Sequence, residues 1–196
     1  ISSSAVFKSN FTVSAHGSQK AYAYALYITL SAVDLHTLSG KFTITANSTA
    51  DGEACGIFST RDVSVDNITG SWNITGKDAA NAWGIQAAGK TVIGNLAANI
   101  SVSGLESRVF HIEEIPEEDA GRSFEVNSIA GKITAAAIYS AYGISSWGSV
   151  SIGDMSKMNM KITGKKGNAY GFYIFDEVKG NSDPENLIIA EGGLDV

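Results

Sequence analysis

Apolar and polar residues alternate with a period of two through short runs that return in a fixed order. That is the mark of half-buried β-strands, since a helix would repeat its apolar positions every 3.6 residues. One run is apolar-polar-apolar-small: Phe11-Thr12-Val13-Ser14, Phe42-Thr43-Ile44-Thr45, Trp72-Asn73-Ile74-Thr75, Ile100-Ser101-Val102-Ser103, Ile133-Thr134-Ala135-Ala136 and Met160-Lys161-Ile162-Thr163. A second places Ala, a large residue, Gly and Ile in succession. It reads Ala54-Cys55-Gly56-Ile57, Ala82-Trp83-Gly84-Ile85 and Ala141-Tyr142-Gly143-Ile144, with Ala169-Tyr170-Gly171-Phe172 a near copy. Ala23-Tyr24-Ala25-Leu26 and Val109-Phe110-His111-Ile112 are weaker versions. The third run spaces three apolar anchors, as in Val33, Leu35, Leu38, then Val63, Val65, Ile68, then Phe124, Val126, Ile129 and Val150, Ile152, Met155. Thr91, Ile93 and Leu96 fill the copy between those of Val63 and Phe124, and Leu187 and Ile189 begin a last one.

Turn formers sit between the last two anchors: Asp66-Asn67, Gly94-Asn95, Asn127-Ser128 and Gly153-Asp154. They favour tight corners by accepting positive φ or by bonding their own backbone. The anchors Leu38, Ile68, Leu96, Ile129 and Met155 are 30, 28, 33 and 26 residues apart. Strand length stays constant while corner length varies, which is how a solenoid absorbs insertions. The pattern predicts an all-β, parallel β-helix spanning 1–196 as one domain, with about six coils of roughly 30 residues and three strands each. Crossover statistics make it right-handed. A propeller blade would need four antiparallel strands, and no helix longer than two turns is expected.

Alternation assigns each column a side. With Ile57, Ile85 and Ile144 inside, Tyr24, Cys55, Trp83, Phe110, Tyr142 and Tyr170 are expected to stack inside as well, with Cys55 an inert buried thiol. The opposite side of that strand, Ala54, Gly56, Ala82, Gly84, Ala141, Gly143, Ala169 and Gly171, is then a flat outer surface suited to lateral docking. The outer side of the first strand carries hydroxyls, among them Thr12, Thr43, Thr45, Thr75, Ser101, Thr134 and Thr163. These are ordinary solvent-face β formers.

Composition adds mainly exclusions. The chain has 196 residues, 44% of them hydrophobic, with a net charge of −6, which argues against general nucleic-acid binding. No apolar run is long enough for a membrane-spanning helix. One cysteine excludes an internal disulfide framework, and His16, His36 and His111 fall at unrelated repeat positions, so no metal site and no cofactor are expected. The outward positions of the third strand, Asp34, Ser64, Val92, Glu125, Ser151 and Ile188, hold no acid–base pair, so no catalytic residue is assigned. Asn10, Asn47, Asn67, Asn73 and Asn99 open N-x-Ser/Thr sequons, read here as a by-product of Asn- and Thr-rich strands.

Charge gathers in two corners between the second and third strands. Coil four inserts Glu113, Glu114, Glu117, Glu118 and Asp119, coil six inserts Asp176 and Glu177, and coil five between them has only a short corner with Trp147. The expectation is an acidic groove about 9.6 Å wide at the strand spacing, with Trp147 as a floor for a sugar ring.

Neither end carries an amphipathic cap. Residues 1–10 show no helical period, and Leu187-Ile188-Ile189-Ala190 is an apolar strand. Opening on Ile1 without a leader, the chain is expected to be a processed or excised segment, either continued by neighbouring coils or stacked end to end into a fibre.

The Gly-Lys-Phe-Thr-Ile-Thr strands, Ala-Tyr-Gly-Ile steps and Gly/Asn corners resemble the passenger regions of bacterial autotransporters and related giant surface proteins. The likeness covers nearly the whole chain and is one of repeat texture. It implies an extracellular or cell-surface β-helix that is structural or adhesive and not enzymatic, with a glycan or another host-surface molecule as ligand. The alternative from the residues is a polysaccharide-binding or polysaccharide-degrading solenoid using the acidic groove.

Overall fold

A computed structural model describes residues 5–113 and 122–175 and the backbone of 187–191. These form twelve strands and, among the described residues, no helix. They are β1 (Val6–Lys8), β2 (Phe11–Gly17), β3 (Lys20–Ile28), β4 (Val33–Ser59), β5 (Val63–Ala87), β6 (Thr91–Gly104), β7 (Ser107–Ile112), β8 (Ser123–Ala137), β9 (Ala141–Ser146), β10 (Ser149–Gly164), β11 (Ala169–Ile174) and β12 (Leu187–Glu191). All pairings are parallel, and each joins a residue to its counterpart one coil away. The long strands run through corners, so one strand serves two or three faces.

The result is a parallel β-solenoid of about five turns. The first face stacks β2, residues 42–48, 72–78, 100–104, 133–137 and 160–164. The second stacks β3, residues 52–59 and 80–87, β7, β9 and β11. The third stacks β1, residues 33–39, 63–69, 91–97, 123–130 and 149–154, and β12.

Like residues stack on like inside. Phe11, Phe42 and Trp72 form one column, with ring centroids 5.3 and 4.9 Å apart, and Leu38, Ile68, Leu96 and Ile129 form another. Across the interior Phe110 meets Phe124 at 4.9 Å. Burying such side chains is the main stabilising term, about 1.5–3 kcal/mol for each large apolar group.

The corners are held by specific chemistry. Gly70 has φ +101°, and a Cβ there would lie 2.2 Å from the Gly40 carbonyl oxygen. Asparagines ladder along the third-face corner: Asn95 Nδ2 donates to Asn67 Oδ1 (3.1 Å), and the Ser128 hydroxyl donates to Asn95 Oδ1 (2.9 Å). Asn10 and Asn99 accept the backbone N–H of Lys41 (2.8 Å) and Lys132 (3.0 Å) from the next coil. These contacts give three sequon asparagines, Asn10, Asn67 and Asn99, a structural task.

The second face corrects the sequence reading. Ala54, Ala82 and Ala141 belong to the buried core, and a Cβ on Gly56 would touch the inward side chains of Ile74 and Trp72. The Ala/Gly side is therefore interior, and it is no lateral docking surface. Tyr24, Cys55, Trp83, Tyr142 and Tyr170 lie on the outer side. Ile57, Ile85 and Ile144 remain inside because the strand turns at the glycine, so Ala54, Gly56 and Ile57 all face in. The pairing passes from Cys55–Trp83 to Ile57–Ile85 with the glycines unpaired. Phe110 is interior, but its column is that of Ile85, and Arg108 stands beside Trp83.

Candidate functional site

Only two of the eight residues assigned to the acidic groove are described. Glu113 is half-buried at the end of β7 and accepts a hydrogen bond from Gln86 Nε2. Trp147 is half-buried, with its ring edge-on to Phe175 at 4.4 Å. Glu114, Glu117, Glu118, Asp119, Asp176 and Glu177 lie outside the described residues.

The chemistry-bearing surface that is described is the outer side of the second face. Its central column runs Tyr24, Cys55, Trp83, Arg108, Tyr142, Tyr170, one residue per coil. The column beyond the glycine bend runs Tyr27, Phe58, Gln86, His111, Ser145, Tyr173. Strand stacking therefore gathers two aromatic clusters with a polar patch between them.

In the first cluster Tyr27 stacks on Phe58 at 4.9 Å and Tyr24 packs against both. Tyr22 lies parallel to Tyr24 at 6.4 Å and donates its hydroxyl to Asp51 at 2.6 Å. In the second, Tyr142 stacks on Tyr170 at 5.3 Å, and Tyr173 meets both. Tyr22, Tyr27 and Tyr173 are 45%, 57% and 36% exposed, so each cluster offers ring surface to solvent.

Arg108 organises the patch between them. Its guanidinium carbon lies 5.0 Å from the ring centres of both Trp83 and Tyr142, a cation between two π faces. Nη1 donates to His111 Nε2 at 2.8 Å, and Nη2 lies 3.4 Å from Glu106 Oε2. His111 must be neutral to accept that bond. Burial, then the Arg108 charge, lowers its pKa to about 3, against a hydrogen bond with the Ser145 backbone. Burial raises the Glu53 carboxyl above the ordinary range, opposed by Trp83 and Tyr24 donors and assisted by the Glu113 and Asp51 charges. Glu53 Oε1 and Gln86 Oε1 are enclosed with no hydrogen-bond partner among the described residues.

The thiol and the imidazole of this surface are both engaged. Burial pushes the Cys55 thiol well up, and its Sγ donates to the Ile57 carbonyl at 3.1 Å, so it is no nucleophile. His111 is committed to Arg108. On the third face Glu125 pairs with Lys90 at 2.7 Å, and His36 pairs with Asp66 at 2.8 Å. Among the described residues no three His, Cys, Asp or Glu side chains converge as metal ligands, and no helix is long and apolar enough to cross a membrane.

The sequence reading missed this outer column, although one residue could have revealed it. Aligning Arg108, rather than Phe110, with Trp83 puts a charge in the column, and an unpaired guanidinium does not belong inside an apolar solenoid. No protein-family model, curated protein or solved structure matches this chain.

Proposed function

We propose that the protein is a non-enzymatic, adhesive β-solenoid segment of an exported surface protein, and that it holds glycan on the outer side of its second face. The observation that carries this reading is the pair of exposed tyrosine clusters on one sheet surface. Tyrosine offers a rigid ring and a polar tip at low entropic cost, which suits recognition of sugar rings with their apolar faces and hydroxyl rims. Four coil spacings separate Tyr24 from Tyr142, about 19 Å. One polysaccharide chain lying along the solenoid axis would reach both clusters, and two linked weak contacts bind far more tightly than either alone.

Binding to a panel of neutral polysaccharides tests the reading. Tyr27→Ala and Tyr173→Ala should each weaken retention about tenfold, roughly 1.4 kcal/mol, and the double variant should abolish it. No retention on any polymer of a broad panel, or retention indifferent to both substitutions, would overturn it.

The partially exposed β2 edge favours end-to-end growth as part of the same role. Phe11 and Val13 are half-buried, whereas their counterparts Phe42 and Ile44 in the next coil are fully buried. A further coil, from the same polypeptide or a second copy, would complete that burial, and sedimentation at rising concentration distinguishes a stacking subunit from a monomer. The second functional reading is polysaccharide binding or cleavage in the acidic groove between the corner loops of coils four to six, of which Glu113 and Trp147 are among the described residues. Release of reducing ends from the same panel, lost in Glu113→Gln, would establish cleavage.

A further inference from the structure

The first face carries a groove of about 330 Å³ on its outer side, lined by Lys41, Ser71, Asn73, Asn99, Ser101, Lys132 and Thr134 over the strand backbones of Phe42, Trp72 and Ile100. Its shape follows from one column. Lys41, Ser71, Asn99 and Lys132 succeed one another over four coils. Two long side chains therefore stand at the ends and two short ones form the floor. Three coil spacings put the lysine backbones about 14 Å apart.

We propose that this groove binds an acidic sugar, the carboxylated or sulfated unit of an anionic polysaccharide. Neither lysine makes an ion pair among the described residues, and both are exposed. No carboxylate lines the groove, although the chain as a whole carries a net charge of −6. The floor offers donors suited to hydroxyls and anionic oxygens: the hydroxyls of Ser71, Ser101 and Thr134 and the amides of Asn73 and Asn99. Asn99 is oriented by accepting the Lys132 backbone N–H, which leaves its Nδ2 as a donor. The volume lies at the small end of ligand sites. Phe42 and Trp72, the aromatic residues of the lining, are buried, so the groove itself offers no exposed ring for a nucleic-acid base to stack on. The site lies on a different face from the tyrosine clusters and stands or falls independently of them.

The test is binding of the full chain at low and moderate salt to polygalacturonate, heparin, dextran, single-stranded DNA and inorganic sulfate. Polygalacturonate or heparin should bind, and the preferred one tells carboxylate from sulfate. Lys41→Gln with Lys132→Gln should weaken that binding at least tenfold and flatten its salt dependence, at unchanged thermal midpoint, while Tyr27→Ala leaves it intact. The proposal is overturned if neither anionic glycan binds at low salt, if the lysine variant binds as well as the parent, if DNA binds equally, which would mean bulk charge attraction, or if inorganic sulfate alone is held.

Discussion

The first and second faces have the same number of rungs, yet they divide inside from outside by different rules. On the first face alternation is unbroken: Phe42, Ile44, Ala46 and Ser48 are buried, and Thr43, Thr45 and Asn47 between them are partly exposed. On the second, Ala54 and Gly56 face in, the backbone turns, and Ile57 faces in directly after the glycine. A period-two inference is safe only as far as the next corner, because a corner resets the phase. The functional consequence is large. The first face presents hydroxyls, amides and lysines, and the second presents rings and a buried polar network, from strands of similar length.

The sharpest break of that comparison is a pair of tryptophans. Trp72 lies inside the first face, stacked on Phe42, and Trp83 lies outside the second, against Arg108. Trp72→Ala should cost about 3–5 kcal/mol, the usual result of emptying a closed core site. Trp83 is only 5% exposed but packs on Arg108 and His111 and not on the apolar core, so Trp83→Ala leaves a space that side chains of the outer surface can partly fill and should cost less, about 2–3 kcal/mol. Urea midpoints read the difference, and equal losses would place both rings on the same side of the wall.

The bend itself can be tested at Gly84. A Cβ there would lie 2.3 Å from the Val109 carbonyl oxygen and 3.2 Å from its carbonyl carbon, both backbone atoms of the next coil. Gly84→Ala must displace that backbone, at about 1–3 kcal/mol. Thr43→Ala, a side chain on the outside of the first face, should stay within about 0.5 kcal/mol. A neutral Gly84→Ala would mean that the coils at this corner are not closely apposed.

These contrasts show which physics can be read along the chain. The repeat, the three strands per coil and the buried anchors of the first and third runs were legible because each is local alternation between constant corners. The orientation of Tyr24, Trp83 and Tyr142 was not. A glycine bend leaves no apolar signature of its own, and small Ala and Gly side chains read as readily outside as in. In coil four the phase slipped by two residues, because Phe110 resembles Trp83 more than Arg108 does, although Arg108 occupies the column. The lysine groove was invisible for a related reason. Lys41 and Lys132 are 91 positions apart in sequence, and only the register places Ser71 and Asn99 between them.

The polar network of the second face should also appear in the acid limb of stability. His111 titrates near 3 when folded and at about 6.5 when unfolded. Between those values the unfolded chain holds a proton that the folded one does not, so stability falls as pH drops, by up to about 1.4 kcal/mol per pH unit for this group. Above about 6.5 the term is constant. Glu53 has the opposite sign: its raised pKa stabilises the fold at low pH, and that contribution is lost as pH rises above the ordinary carboxylate value. Between pH 6.5 and 5 the stability slope of the parent should exceed that of His111→Gln. Parallel slopes would mean that His111 charges freely in the fold. The first face has no such buried histidine, and Lys41→Gln should leave the slope unchanged.

The smallest effect separates side-chain ladders from backbone pairing as the agents that hold the corners. Asn95 donates to Asn67 and accepts from Ser128, so Asn95→Ala removes both ladder bonds at once. Each is exposed and is replaced in part by water, which keeps the expected loss near 1 kcal/mol, at the low end of what two intramolecular hydrogen bonds contribute. Asn73, an outward residue of the first face in the adjoining part of the same coil, has no such rung-to-rung ladder among the described contacts, and Asn73→Ala should change the urea midpoint by less than about 0.5 kcal/mol. The pair isolates position, since the residue type and the exposure to water are shared. A loss confined to Asn95 means that the corner amides add to the strand pairing. Equal and negligible losses would mean that the parallel backbone bonds and the apolar stack hold the corners alone, and that asparagine is present there only for its tolerance of the turn.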